Sequence, residues 1–73
     1  MKVINENLSI TDFEAWSGAI HTKQTIIYNN KQNDFDFMIE ELYTDGLTDT
    51  ALNDLLWYDS DWVLEQLGIE IEA

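Results

Sequence analysis

The stretch DFDFMIEELYTDGLTDTALNDLLWYDSDWVLEQLG, residues 34–68, decides the fold, because its apolar residues recur at helical spacing. Phe35, Met38, Ile39 and Leu42 fall at i, i+3, i+4 and i+7, the buried stripe of an amphipathic helix. Asp34 and Asp36 lie in its first turn, where carboxylates meet the positive end of the helix dipole. Asp45-Gly46 is a stop signal. Thr48 then reads as the N-cap of a second helix with Ala51, Leu52, Leu55 and Leu56 inward. Asp59 or Ser60 caps a short third helix, which buries Val63, Leu64 and Leu67 and ends at Gly68.

Working back toward the N-terminus, the signals mix. Thr11-Asp12-Phe13-Glu14 has the spacing of a capping box and predicts a short helix over 12–16, broken or bent at Ser17-Gly18. Segment 19–29 reads either as a helix, with Ile20, Lys23 and Ile27 at helical intervals, or as a strand. The strand reading comes from the β-branched run Thr25-Ile26-Ile27-Tyr28 closed by Asn29-Asn30. Segments 2–4 and 69–71 are candidates for a small edge ribbon. The expected fold is mainly α: one domain over residues 1–73, a small bundle of three to five short helices with a minor β ribbon near the N-terminus.

Composition sets this fold against disorder. The chain of 73 residues carries 15 Asp+Glu against 3 Lys+Arg, a net charge of −12. High charge with few apolar residues keeps a chain unfolded. Here Leu, Ile, Val and Phe make up 21 of 73 residues, above the roughly 20% at which disorder is expected, and three Trp and three Tyr add burial capacity. The chain folds, with stability that like charges reduce and salt restores.

The charge is also segregated. In residues 1–33, Glu6, Asp12 and Glu14 balance Lys2, Lys23 and Lys31. From residue 34 onward there are twelve acids and no Lys or Arg. A surface of this sign cannot neutralise a phosphate backbone, so direct nucleic-acid binding is excluded. Anionic lipid headgroups repel it as well. No apolar run approaches the ~20 residues that span a bilayer, and the N-terminus has no signal-peptide h-region. The expected location is the cytoplasm.

Chemistry finds no foothold. Without cysteine there is no disulfide, thiolate site or cysteine nucleophile. An EF-hand loop aligned on Gly46 places Tyr43 at position 3 and Leu52 at position 12. One started at Asp59 places Leu64 where glycine is required, so no metal site is expected. The acids fall on polar helix faces rather than in a sheltered cleft, and His21 has no identifiable partner, so neither acid–base pair nor triad assembles. Trp16-Ser17-Gly18 lacks the pattern of a nucleophile elbow. No enzyme and no cofactor are expected.

The informative cluster is Leu55-Leu56-Trp57-Tyr58-Asp59-Ser60-Asp61-Trp62. With the leucines inward, Trp57 and Tyr58 lie to the side among Asp54, Asp59 and Asp61. Each ring alone reads most simply as a completion of a small core. Set among carboxylates, the same rings suit an arginine-rich partner through ion pairing and cation–π contact. Duplex DNA shows about 12–18 charges over ~20–30 Å, and a domain of this length has a radius of gyration near ~11 Å. The twelve acids from residue 34 onward, gathered on one side, would therefore approximate a phosphate array in number. Asp49, Asp54, Asp59, Asp61 and Glu65 are the candidate charge contacts, with Trp57, Tyr58 and Trp62 as anchors. The expected partner is a basic nucleic-acid-binding protein. A non-mimic interaction module and a homodimer with an aromatic seam are the alternatives.

The segments FEAWSGA (13–19), ELYxDG (41–46) and LNDLLW (52–57), followed by Asp61-Trp62 and Leu67-Gly68, carry a resemblance. The chain is similar over most of residues 13–68 to small acidic proteins of phages, plasmids and integrative elements of Gram-positive bacteria. Segment 20–33 departs from that pattern in being richer in Asn, Gln and Thr. The resemblance implies no catalytic residue. Such elements encode anti-CRISPR and anti-restriction proteins, many of them nucleic-acid mimics, so it implies inhibition of a host defence protein such as a CRISPR effector or restriction enzyme. It equally accommodates an accessory regulator of phage transcription or replication.

Overall fold

The computed structural model describes residues 1–4 and 6–69. In chain order these form β1 (Lys2–Val3), β2 (Glu6–Asn7), an irregular segment, then α1 (Ala19–Tyr28), α2 (Gln32–Leu42), α3 (Asp49–Tyr58) and α4 (Ser60–Gln66). The fold is mainly helical, with four helices among the described residues and a small two-stranded antiparallel ribbon at the N-terminus. Helix α1 packs against each of the other three. The radius of gyration is 11.1 Å.

Segment 19–29 resolves as a helix. Ala19, Thr22 and Ile26 face the core along one side of α1, and burial of that stripe outweighs the strand preference of Thr25-Ile26-Ile27. Thr25 Oγ1 donates to the His21 carbonyl one turn back (2.9 Å), an arrangement that lets a threonine sit inside a helix. Asn30 then takes a left-handed φ of 57°. The Asn30 N–H donates to Ile27 O and the Lys31 N–H to Ile26 O, both at 3.0 Å, closing α1 in a Schellman motif.

Helix α2 buries Phe35 and Ile39 completely and Met38 partly. Leu42 departs from the expected stripe and is exposed. The helix ends there, and the chain swings away through Gly46, whose φ of 87° suits glycine. The swing brings Leu47 onto the ribbon: Ile4 N–H donates to Leu47 O (2.8 Å) and Leu47 N–H to Lys2 O (3.1 Å).

The Thr48 hydroxyl accepts from Ala51 N–H (3.1 Å) and caps α3 as expected. Leu52 and Leu56 are fully buried and Leu55 partly, whereas Ala51 is exposed. The inward position that sequence assigns to Ala51 belongs to Asn53, which is fully buried. At ~100° per residue, Leu52, Leu56 and Asn53 share one arc and Ala51 falls outside it. In α4, Val63 and Leu67 are buried and Leu64 partly. Asp59 precedes the helix without a side-chain capping bond. Gly68 (φ 70°) ends it in a second Schellman motif, with Ile69 N–H on Leu64 O (2.9 Å).

The helix expected over 12–16 does not form. Ser9 organises a turn instead: its carbonyl accepts from Asp12 and Phe13, and its hydroxyl from Thr11 N–H (3.2 Å). Beyond the turn, distant side chains hold the main chain. The Lys23 ammonium donates to Phe13 O, and the Asn53 amide brackets Trp16, accepting from its N–H (2.9 Å) and donating to its carbonyl (3.3 Å). Ser17 follows with φ 56° and leads into α1.

The ribbon also differs from expectation. Lys2 pairs with Asn7 and Val3 with Glu6 in a local hairpin. The partner expected from 69–71 falls partly outside the described residues. The core is a cluster in which Met1, Val3, Ile10 and Phe13 close over the buried faces of the helices.

Candidate partner-binding surface

The candidate residues lie on α3, α4 and the single residue between them. Asp54 projects opposite the buried Leu52–Leu56 arc, with Tyr58 one turn further along the same face. Asp49 is exposed in the first turn of α3, where its carboxylate accepts from Thr50 N–H (2.8 Å). Asp59 joins the two helices: its N–H donates to Leu55 O (3.1 Å) and its carbonyl accepts from Val63 N–H (3.0 Å). On α4, Asp61 and Glu65 are exposed. At positions i and i+4 they share one flank of that helix.

None of these five carboxylates forms an ion pair among the described residues. No lysine or arginine lies on α3 or α4. These two helices pack directly on each other, but Asp49 lies about 140° around α3 from Asp54 and lines a groove beside the ribbon, so the structure does not bring it onto the face of Asp54.

The three rings are not core completions. Tyr58 is 70% exposed, Trp62 41% and Trp57 39%. Trp57 stacks on Tyr58 with ring centroids 4.9 Å apart and planes 9° apart. Its indole also covers Gly18, where an added Cβ would come within 2.4 Å of Trp57 Nε1. Gly18 is therefore required for close approach, at an ordinary helical φ of −62°. Trp57 is held from two sides while one part remains open, the condition of a preformed anchor.

The acidic run does not act as one set. Asp36 Oδ1 accepts from Ile10 N–H (2.7 Å), and Glu40 pairs with the Met1 ammonium (3.2 Å). At i and i+4 these two clamp the N-terminal segment onto α2. Asp34 pairs with Lys31 (3.7 Å) at the surface. The carboxylates of α2 and those of α3–α4 ride on elements joined through α1, which carries no acid. Glu70 and Glu72 lie outside the described residues.

Sequence reasoning passed over a second surface. A groove of about 600 Å³ lies between the ribbon, segment 13–16 and the start of α3, with Glu6, Glu14 and Asp49 among its lining. Only Asp49 was singled out from the sequence. The signal available was the alternation Phe13-Glu14-Ala15-Trp16, which the capping-box reading absorbed into a helix. His21 is exposed on α1. Among the described residues, no three His, Cys, Asp or Glu side chains gather as a metal site would need, and no helix is long and apolar enough to cross a membrane. Comparison of the chain with protein-family models, curated proteins and solved structures finds no match.

Proposed function

We propose that this chain is a stoichiometric, cofactor-free inhibitor whose α3–α4 surface occupies the basic nucleic-acid site of a host defence protein, in the manner of an anti-CRISPR or anti-restriction mimic. One observation carries the reading: Asp49, Asp54, Asp59, Asp61 and Glu65 are exposed and without ion pairs among the described residues, on two directly packed helices with no basic residue. A solvated surface ordinarily mixes signs. Carboxylates left without counter-charge attract a positive channel and speed encounter with it. The exposed Trp57–Tyr58 stack supplies the apolar contact that charge alone lacks.

The test is a pull-down from bacterial lysate at low and high salt, with bound proteins identified by mass spectrometry. The expected captive is a nucleic-acid-binding protein that is displaced by DNA or RNA and lost as salt rises. Reversing Asp54, Asp59 and Asp61 to Lys should abolish capture while the circular dichroism spectrum stays helical. Binding indifferent to both salt and nucleic acid rejects mimicry.

The same aromatic stack favours a second reading, a non-mimic interaction module or a homodimer with Trp57 at its seam. A solution mass that rises with concentration, and does so no longer after Trp57→Ala, supports the homodimer.

A further inference from the structure

The groove between the ribbon and segment 13–16 has a defined chemistry. Val3, Leu8 and Phe13, buried or partly buried, form its apolar floor. Ile4 and Trp16 rise beside them, 58% and 40% exposed. Glu6, Glu14 and Asp49 stand around this apolar surface, all exposed. No lysine lines it. Lys2 neighbours Val3 on the strand and lies over Gly46 instead, and Lys23 is turned to the Phe13 carbonyl.

We propose that this groove receives an arginine side chain from an apolar-flanked basic segment of a protein partner. An apolar floor with an anionic rim selects a side chain that is aliphatic along its stem and cationic at its tip. Arginine fits better than lysine because its planar guanidinium also stacks on an indole, and Trp16 presents a part-open ring beside the carboxylates. Phe13 meets that indole at 6.3 Å and 46°, a tilted contact that fixes the aromatic wall. Ile4 follows β1 in the hairpin closed by the Val3–Glu6 pair, with φ 58°, the left-handed backbone that a tight hairpin turn calls for. It puts an apolar side chain at the groove where a flanking residue would rest. This proposal does not depend on nucleic-acid mimicry by α3–α4.

The test is a two-dimensional amide NMR titration with the peptide acetyl-Leu-Arg-Leu-amide, alongside the same peptide with citrulline, the uncharged isostere of arginine. Expected are shifts centred on Val3, Leu8, Phe13, Trp16 and Asp49, with the citrulline peptide binding clearly more weakly. Removing two rim charges in the E14Q/D49N variant should weaken the arginine peptide about fivefold, the scale of two exposed ion pairs. Removing the same number of charges from α2, in D34N/E41Q, should leave its affinity unchanged. Equal binding of the two peptides overturns the proposal, and so does an equal loss in the two variants. Shifts centred on residues 54–65 also overturn it, while leaving the acidic-face reading intact. The arginine–citrulline comparison uses the wild-type chain and so does not depend on any variant folding.

Discussion

The side chain of Asn53 offers one acceptor oxygen and two donor hydrogens, and the main-chain N–H and carbonyl of Trp16 take up both functions. Because Asn53 is fully buried on α3, this pairing fastens segment 13–18 to the helical core and sets the position from which Gly18 meets Trp57. Replacing it by Ala deletes both bonds and leaves the Trp16 N–H without its partner. The expected cost of Asn53→Ala is about 2 kcal/mol, read as a lower urea midpoint with the slope unchanged. Asn53→Asp keeps an acceptor for the N–H but loses the donor and buries a carboxylate against the Trp16 carbonyl. It should cost at least as much as Ala. If both variants unfold at the wild-type midpoint, this pairing does not hold the segment.

Two threonines carry helix-start signals in the sequence, and the structure separates them. Thr48 caps α3, whereas the Thr11 N–H answers to Ser9 and no helix follows. Thr48→Ala should therefore cost about 1 kcal/mol, while Thr11→Ala should leave the thermal midpoint within error. Equal effects from the two would put a functional cap at Thr11. The contrast explains what was legible. The three C-terminal helices announce themselves because their stop and start signals, Asp45-Gly46, Thr48 and Gly68, are local and agree with the apolar spacing. Segment 12–16 misleads because long-range partners, Lys23 and Asn53, claim the backbone groups that a helix would use, and no local pattern records them. In α1 the local β preference gives way to burial of Ala19, Thr22 and Ile26. At the candidate surface, the five carboxylates were legible as polar positions on α3–α4. The engagement of Asp36 and Glu40 by the N-terminal segment was not, since it depends on where that segment lands. The groove was hidden for the same reason, being assembled from three parts of the chain that are distant in sequence.

At the scale of the whole molecule, an excess of acids sits on a body measuring 36 × 23 × 18 Å. At 0.01 M salt the Debye length is ~30 Å, comparable with these dimensions, so in dilute buffer nearly every carboxylate repels the others across the molecule. The net charge of −12 therefore opposes the compact state. Raising NaCl from 20 to about 500 mM should increase folding stability by on the order of 1 kcal/mol and then level off, as screening becomes complete. A gain that kept rising linearly would point to exclusion of salt from the surface rather than to screening. The charge reversal that tests partner capture adds a thermodynamic readout. Changing Asp54, Asp59 and Asp61 to Lys halves the net charge of −12. If those carboxylates stand close enough to act as one field, the variant should be more stable than wild type at low salt, and its stability should depend less on NaCl. It would then lose its partner while gaining stability, a combination that misfolding cannot produce. An unchanged low-salt midpoint would mean that the three carboxylates do not repel one another measurably. They would then be too dispersed to imitate a phosphate array.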